Sequence, residues 1–190
     1  MATQPKRYIS PQEYLEVERK AEFKSEYFNG EMFAMAGASA DHVRIVTNIS
    51  GELRQRLKGR ECWAGSTELR TFIPATGMFT YPDVFIVCGE QKTLDTEFDT
   101  LLNPNVIFEV LSDSTENYDR GRKFAHYQSI VSLSDYVLVA QDKVRVERYK
   151  RQPSGDWLLS VFTSLGESIP FPELGCELPL SEIYFLVELK

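Results

Sequence analysis

Val106-Ile107-Phe108-Glu109-Val110-Leu111 is an apolar run interrupted by a single carboxylate. A run this apolar reads as a strand buried on both faces of a sheet. A second run, Val84-Phe85-Ile86-Val87, follows Pro82-Asp83 and reads the same way. A buried carboxylate is costly unless a cation or a set of donors receives it. Two such strands with one acid each point to a shared receiver, of which a divalent metal is the simplest. Hard divalent cations take oxygen ligands, and magnesium keeps one or two carboxylates together with waters and substrate phosphate oxygens. The plainer readings are that Asp83 marks a strand start after proline and that Glu109 pairs with an arginine such as Arg70.

Outward from these strands the local signals alternate between helix and strand. Ser10-Pro11-Gln12-Glu13 is a capping box with proline at the first helical position, predicting a helix to about Lys20. Tyr27-Phe28-Asn29-Gly30-Glu31-Met32-Phe33 places an Asn-Gly turn between apolar arms, the signal of a tight hairpin. Ser39 caps a long helix with an apolar stripe of Val46, Ile49, Leu53 and Leu57, and Gly59 stops it. Strands are expected at about 61–64, 67–73, 83–88 and 105–111, with a polar loop over 89–103. Ser114 and Asn117 are candidate caps of a helix to about Ile130, and a strand follows from Asp135 to Ala140. The alternation Lys143-Val144-Arg145-Val146-Glu147 marks a half-buried, edge-like strand. Trp157 to Thr163 reads as one more strand, and Leu180 to Leu189 as a short closing helix. Trp63 and Trp157 read as core. The pattern predicts an α/β (α+β) fold: a mixed central sheet flanked by helices, with an N-terminal helix and hairpin.

The 190 residues are 43% hydrophobic, and with no linker or repeat they are expected to form one domain. The formal net charge of −7 argues against a general nucleic-acid coat protein. It leaves room for a nuclease, because a basic strip can be local and a metal supplies its own positive field. Arg54, Arg56, Lys58 and Arg60 form one such cluster and Arg120, Arg122 and Lys123 another; either could hold phosphates or be a solvated face. Three cysteines, Cys62, Cys88 and Cys176, with no C-x-x-C, predict neither a disulfide framework nor a zinc site. The start, Met-Ala-Thr-Gln-Pro-Lys-Arg, leads into no apolar segment, and no run approaches the ~20 residues needed to span a bilayer. The expected location is the cytoplasm, with no membrane partner.

Tyr81-Pro82-Asp83 followed by Phe108-Glu109-Val110-Leu111 resembles the core motif of the PD-(D/E)XK nuclease superfamily. The wider set is more specific. It comprises Glu26-Tyr27-Phe28-Asn29-Gly30-Glu31, His42, Glu109 to Thr115, Lys123, Tyr127 and Asp135-Tyr136-Val137-Leu138-Val139. This set is similar to the Uma-type restriction-endonuclease-like family over about residues 7 to 187. The resemblance implies a DNA endonuclease with magnesium or manganese as cofactor. Asp83 and Glu109 would hold the metal, Glu26 would complete the site, and His42 and Tyr127 would support it. The superfamily motif wants a lysine two residues after the glutamate, where this chain has Leu111. In the family that lysine has moved to the following helix, which points to Lys123, with Tyr127 four residues on along the same side.

Each residue has a structural alternative. Glu26 could be a surface residue paired with Lys24, Lys123 a solvated helix lysine, and His42 a packing histidine. His126 has no supporting pattern. The functional reading predicts that Asp83, Glu109 and Lys123 converge at one edge of the sheet with Glu26 nearby. The rival readings are a binding module that keeps the nuclease fold, for nucleic acid or protein, and a metal-independent structural protein. A homodimer is expected from the open side that an edge-like strand at 143–147 would offer.

Overall fold

The computed structural model describes residues 7–97 and 99–189. Met1–Lys6, on which the reading of the chain's start rests, lie outside the described residues. The Ser10 hydroxyl accepts the N–H of Glu13 (3.2 Å) and the Glu13 carboxylate accepts the N–H of Ser10 (2.8 Å). This reciprocal cap starts α1 (Pro11–Glu18). Asn29 and Gly30 take positive φ, 48° and 84°, which a two-residue hairpin turn requires, and join β1 (Ser25–Phe28) to β2 (Glu31–Ala34). Ser39 caps α2 (Ala40–Arg56) by accepting the N–H of His42. The buried stripe of α2 is Ile45, Ile49 and Leu53, continued by Leu57, while Val46 lies half-buried at its margin.

The strands that follow are β3 (Cys62–Ser66), β4 (Arg70–Ile73), β5 (Met78–Thr80), β6 (Val84–Cys88), β7 (Thr100–Leu101) and β8 (Val106–Leu111). A helical stretch then runs from α3 (Glu116–Tyr118) through a π turn (Asp119–Lys123) into α4 (Phe124–Tyr127). Its N-cap is Thr115, which makes no side-chain capping bond. The chain continues through β9 (Asp135–Ala140), β10 (Val146–Arg151), β11 (Trp157–Phe162), β12 (Ser168–Phe171), β13 (Cys176–Pro179) and α5 (Leu180–Ile183).

A six-stranded sheet has the order β11-β10-β9-β8-β6-β3, in which only β8 and β9 run parallel. A five-stranded sheet, β2-β1-β5-β4-β7, carries the N-terminal hairpin, and β12 and β13 form a separate pair. On β8, Val106, Phe108 and Val110 join a core with the α2 stripe, Leu178 and Ile183. Ile107 and Leu111 face the other way, against Phe124, Tyr127, Ile73 and Met78. Cover on both faces is what the unbroken apolar runs require. Tyr14, Leu15, Tyr27 and Phe79 root α1 on the five-stranded sheet. This is the expected mixed sheet flanked by helices. Among the described residues no helix is long and apolar enough to cross a membrane.

Several expectations are corrected. The alternating segment 143–147 is not an edge: β10 starts at Val146 and is paired on both sides, by β9 and β11. Its alternation comes from Glu147, which is buried between Arg120 and Arg145. The terminal strands of this sheet are β11 and β3, so 143–147 offers no side for a twofold partner. Cys62 and Cys88 form a disulfide, leaving Cys176 free. Counting cysteines missed it because the pairing comes from the β3–β6 register, which sets the two directly opposite with Cα atoms 4.0 Å apart. Trp63 is 39% exposed, and Trp157 is half-buried beneath the Arg151 guanidinium.

Candidate active site

The β6–β8 register sets Val84 opposite Phe108. Asp83 immediately precedes β6 and Glu109 follows Phe108 on β8, so the end of this ladder brings the two acids to one region, where the Asp83 charge acts on Glu109. Both side chains are buried. The ladder ends at Val84, and Asp83 Oδ2 takes up the N–H of Val110 (2.7 Å). Asp83 Oδ1 lies 3.0 Å from Nε2 of His42, in the first turn of α2.

Lys123 reaches the same place from the π turn. Its Nζ lies 2.9 Å from Glu109 Oε1, 3.1 Å from Glu26 Oε1 and 3.7 Å from Asp119 Oδ1. An ammonium has three N–H donors and no acceptor, so three carboxylates match it. The Tyr127 hydroxyl donates to Glu109 Oε1 (2.8 Å). Glu26 comes from β1 in the other sheet, and accepts from the hydroxyls of Thr80 and, at 3.4 Å, Tyr118. π turns are rare and frequent at functional sites, and this one is tied down from two sides. Tyr136 donates to the Asp119 carbonyl (3.0 Å), and Arg120 pairs with Glu116 and the buried Glu147.

The structure therefore gathers Glu26, Asp83, Glu109, Lys123, Tyr127 and His42 into one cluster. The structural alternatives for two of them do not hold. Arg70 is not the partner of Glu109; it donates to Asp99, Tyr81 and Thr100. Lys24 bonds Glu68 and the Thr67 carbonyl rather than Glu26. In the basic clusters, Arg56 pairs with Glu52, Arg60 donates to the carbonyls of Arg56 and Gly175, and Arg120 is held as above. Three members escaped the sequence reading: Asp119, Thr80 and Tyr118. Asp119 stands four residues before Lys123, as Tyr127 stands four after, and that spacing is the signal that could have found it. Nothing local marks Thr80 or Tyr118.

Three carboxylates meet one ammonium here, and Asp83 stands near enough to act on Glu109. Burial pushes the pKa of Glu109 well above the usual carboxylate range, and the charges of Asp83 and Asp119 add to the rise against the pull of Lys123. Burial raises Asp119 as well. Burial alone would pull Lys123 down, but Glu109, Glu26, Tyr127 and Asp119 together hold it well above an ordinary lysine. Burial and the Glu109 charge keep the Tyr127 phenol protonated. Lys123 thus holds its charge strongly, and Glu109 takes up a proton more easily than an exposed glutamate does. Among the described residues no group of three or more His, Cys, Asp or Glu side chains is arranged to hold a metal. A two-carboxylate site needs fewer, and its donors would be the oxygens of Asp83 and Glu109.

The chain matches the Uma2 family model, described as "Putative restriction endonuclease", over residues 11–181. Two proteins of Synechocystis sp. are similar to it throughout. "Uncharacterized protein slr1290" is 35% identical over 176 residues, 93% of this chain and 91% of that protein. "Uncharacterized protein sll1609" is 34% identical over 163 residues, 86% of this chain and 92% of that protein. The fold is similar to the crystal structure of "a putative nuclease belonging to DUF820" from Anabaena variabilis. That match has a TM-score of 0.76 and 20% identity, and covers 93% of this chain and 97% of the other. At that identity the likeness is one of fold.

Proposed function

The chain belongs to the Uma2 family, and from that premise we propose that it is a metal-dependent endonuclease hydrolysing DNA phosphodiester bonds. The observation that supports this reading is the surplus of acid around Lys123: three carboxylates from separate elements, with Asp83 close enough to act on Glu109, whose pKa is raised. Asp83 and Glu109, with Glu26 assisting, would hold a magnesium or manganese ion, whose contribution is positive charge toward the phosphate and a more acidic water. The remaining roles belong to the chain's own groups. Lys123, charged at neutral pH, would exchange a carboxylate contact for the attacking water or a phosphate oxygen as negative charge develops. Tyr127 fixes Glu109, and His42 fixes Asp83. Water attacks phosphorus in line and gives up a proton to solvent, the bond to the leaving oxygen breaks, and that oxygen takes up a proton. Such an enzyme would work on DNA in the cytoplasm. A second copy would pair along an exposed sheet edge such as β11, which light scattering at micromolar concentration tests.

The test is nicking of plasmid DNA with magnesium alongside calorimetric metal titration. Glu109→Gln should lose cleavage and metal affinity together. Lys123→Ala should keep metal affinity while its rate falls ~100-fold or more. Normal cutting by Lys123→Ala would remove that residue from the chemistry and make His42 the first alternative.

One observation favours a second reading, a non-catalytic binding module that keeps the nuclease fold: Lys123 already neutralises part of the acidic cluster from a buried position, 6% exposed. Absence of metal-dependent cleavage on double-stranded, single-stranded and branched DNA would decide for it.

A further inference from the structure

The hairpin that delivers Glu26 has two unlike faces. Tyr27 and Met32, paired in register, point into the core beside Tyr14 and Phe79. The opposite face carries Glu26 paired with Phe33, and Phe28 paired with Glu31. Glu26 is drawn into the acidic cluster by Lys123. Two residues further on, Phe28 is 36% exposed, and Phe33 is 49% exposed. The ring of His126 meets Phe28 edge-on with centroids 4.6 Å apart. Arg122 stands one turn before His126 on the same side of the helical stretch; it is exposed and has no ion pair with a described residue. An aromatic strip with a cation at its flank therefore begins where the carboxylate–lysine cluster ends.

Large aromatic side chains at the surface need a reason when they are grouped beside a polar site. A cation that tracks phosphate beside rings that stack bases is how proteins hold single-stranded nucleic acid. A duplex keeps its base faces covered by neighbouring pairs, so only an unpaired base offers a free face to Phe28 or Phe33. We propose that Phe28, Phe33 and His126 form a stacking platform for an unpaired base next to the phosphate at Lys123, so that the substrate is single-stranded or locally unpaired DNA. The position of the phosphate rests on the nuclease reading above; the stacking does not.

The experiment measures fluorescence anisotropy of a labelled oligothymidine and of a duplex of equal length, in chelator, with plasmid and single-strand cleavage run in parallel with magnesium. The wild-type chain should bind the single strand more tightly than the duplex. The double variant Phe28→Ala/Phe33→Ala should lose ~10-fold or more in single-strand affinity with duplex binding unchanged. Phe28→Trp should retain single-strand affinity, and an unchanged thermal melt should show that both variants fold. Single-strand binding by the double variant equal to wild type, or a wild-type preference for duplex, overturns the platform. If that happens while magnesium-dependent cleavage persists, the nuclease reading stands alone. Single-strand affinity that falls in the double variant, with no cleavage by wild type, leaves the platform and removes the nuclease. No nucleic-acid binding, together with self-association lost in the double variant, assigns the patch to a protein contact and overturns the proposal.

Discussion

Asp135 and Arg148 bury one carboxylate against one guanidinium, whereas the cluster around Lys123 gathers three carboxylates about one ammonium, with Asp83 as a further acid beside them. The two lie on the same sheet. Asp135 pairs in register with Val106 at the start of β8, and Glu109 stands three residues further along. Arg148 Nε donates to Asp135 Oδ1 (2.7 Å), and its guanidinium lies 5.0 Å from the centre of the Phe171 ring. That pair is balanced, sits among the residues that pack on α2, and has no reason to be near solvent. The other cluster is unbalanced and joins two sheets, a helix start and a π turn. A balanced buried pair answers to architecture. An excess of one sign held in place against its own repulsion answers to something that arrives later, such as a cation or a substrate.

The comparison breaks first at Arg148. Arg148→Met strands the buried Asp135 charge and should cost about 3–5 kcal/mol. For a chain of this length that is a fall in Tm of roughly 10 °C, measured by thermal melt at neutral pH. A loss under about 1 kcal/mol would mean that the pair is not as buried as its geometry says.

Lys123→Met removes the only cation of the other cluster, yet its cost should be smaller, about 2 kcal/mol at pH 8, because Glu109 can take up a proton in response. At pH 5, where the raised pKa leaves Glu109 more protonated than at pH 8, the cost should shrink further. Urea unfolding at the two pH values measures this, and equal losses at both would deny the raised pKa of Glu109.

A divalent cation should act on one cluster only. Magnesium at ten times its dissociation constant should stabilise the native state by about 1.4 kcal/mol, a shift in Tm of a few degrees. The shift should vanish in Asp83→Asn and persist in Arg148→Met. Equal shifts in wild type and Asp83→Asn would put the metal elsewhere.

The smallest effect is one of slope. The native pKa of Glu109 lies above its unfolded value of about 4.3. The native state therefore binds more protons than the unfolded state between those values, and stability falls as pH rises through that window. Glu109→Gln should flatten this decline in metal-free buffer and be the more stable protein at pH 8, by about 1 kcal/mol or less. An unchanged slope would show that Asp119, raised in the same sense, carries it instead.

Much of this could be read before any coordinates. The capping box of α1, the Asn-Gly hairpin, the Ser39 cap and the long apolar strands each depend on a few adjacent residues, and each lies where it was expected. The short strands β5, β7, β12 and β13 did not announce themselves. Two to four residues carry too little periodicity, and such strands exist because a neighbour offers them hydrogen bonds. The Cys62–Cys88 bridge and the interior place of β10 were hidden for the same reason, since register and strand order are relations between distant segments.

The candidate site divides along the same line. Asp83 and Glu109 were legible by themselves, because a carboxylate inside an apolar run contradicts its surroundings. Lys123 was legible only through its likeness to a family pattern, since a lysine between Arg122 and Phe124 is locally unremarked. Thr80 and Tyr118 were settled by tertiary structure alone, while Asp119 carries only its four-residue spacing to Lys123 as a signal. Asp119 depends on the winding of a π turn, and Thr80 and Tyr118 reach Glu26 only because two sheets and a helical stretch meet there. Sequence by itself determined which residues could not be at ease in a core. The fold decided which of them face one another, because the energy of a buried charge depends on its neighbours in space rather than on its neighbours in the chain.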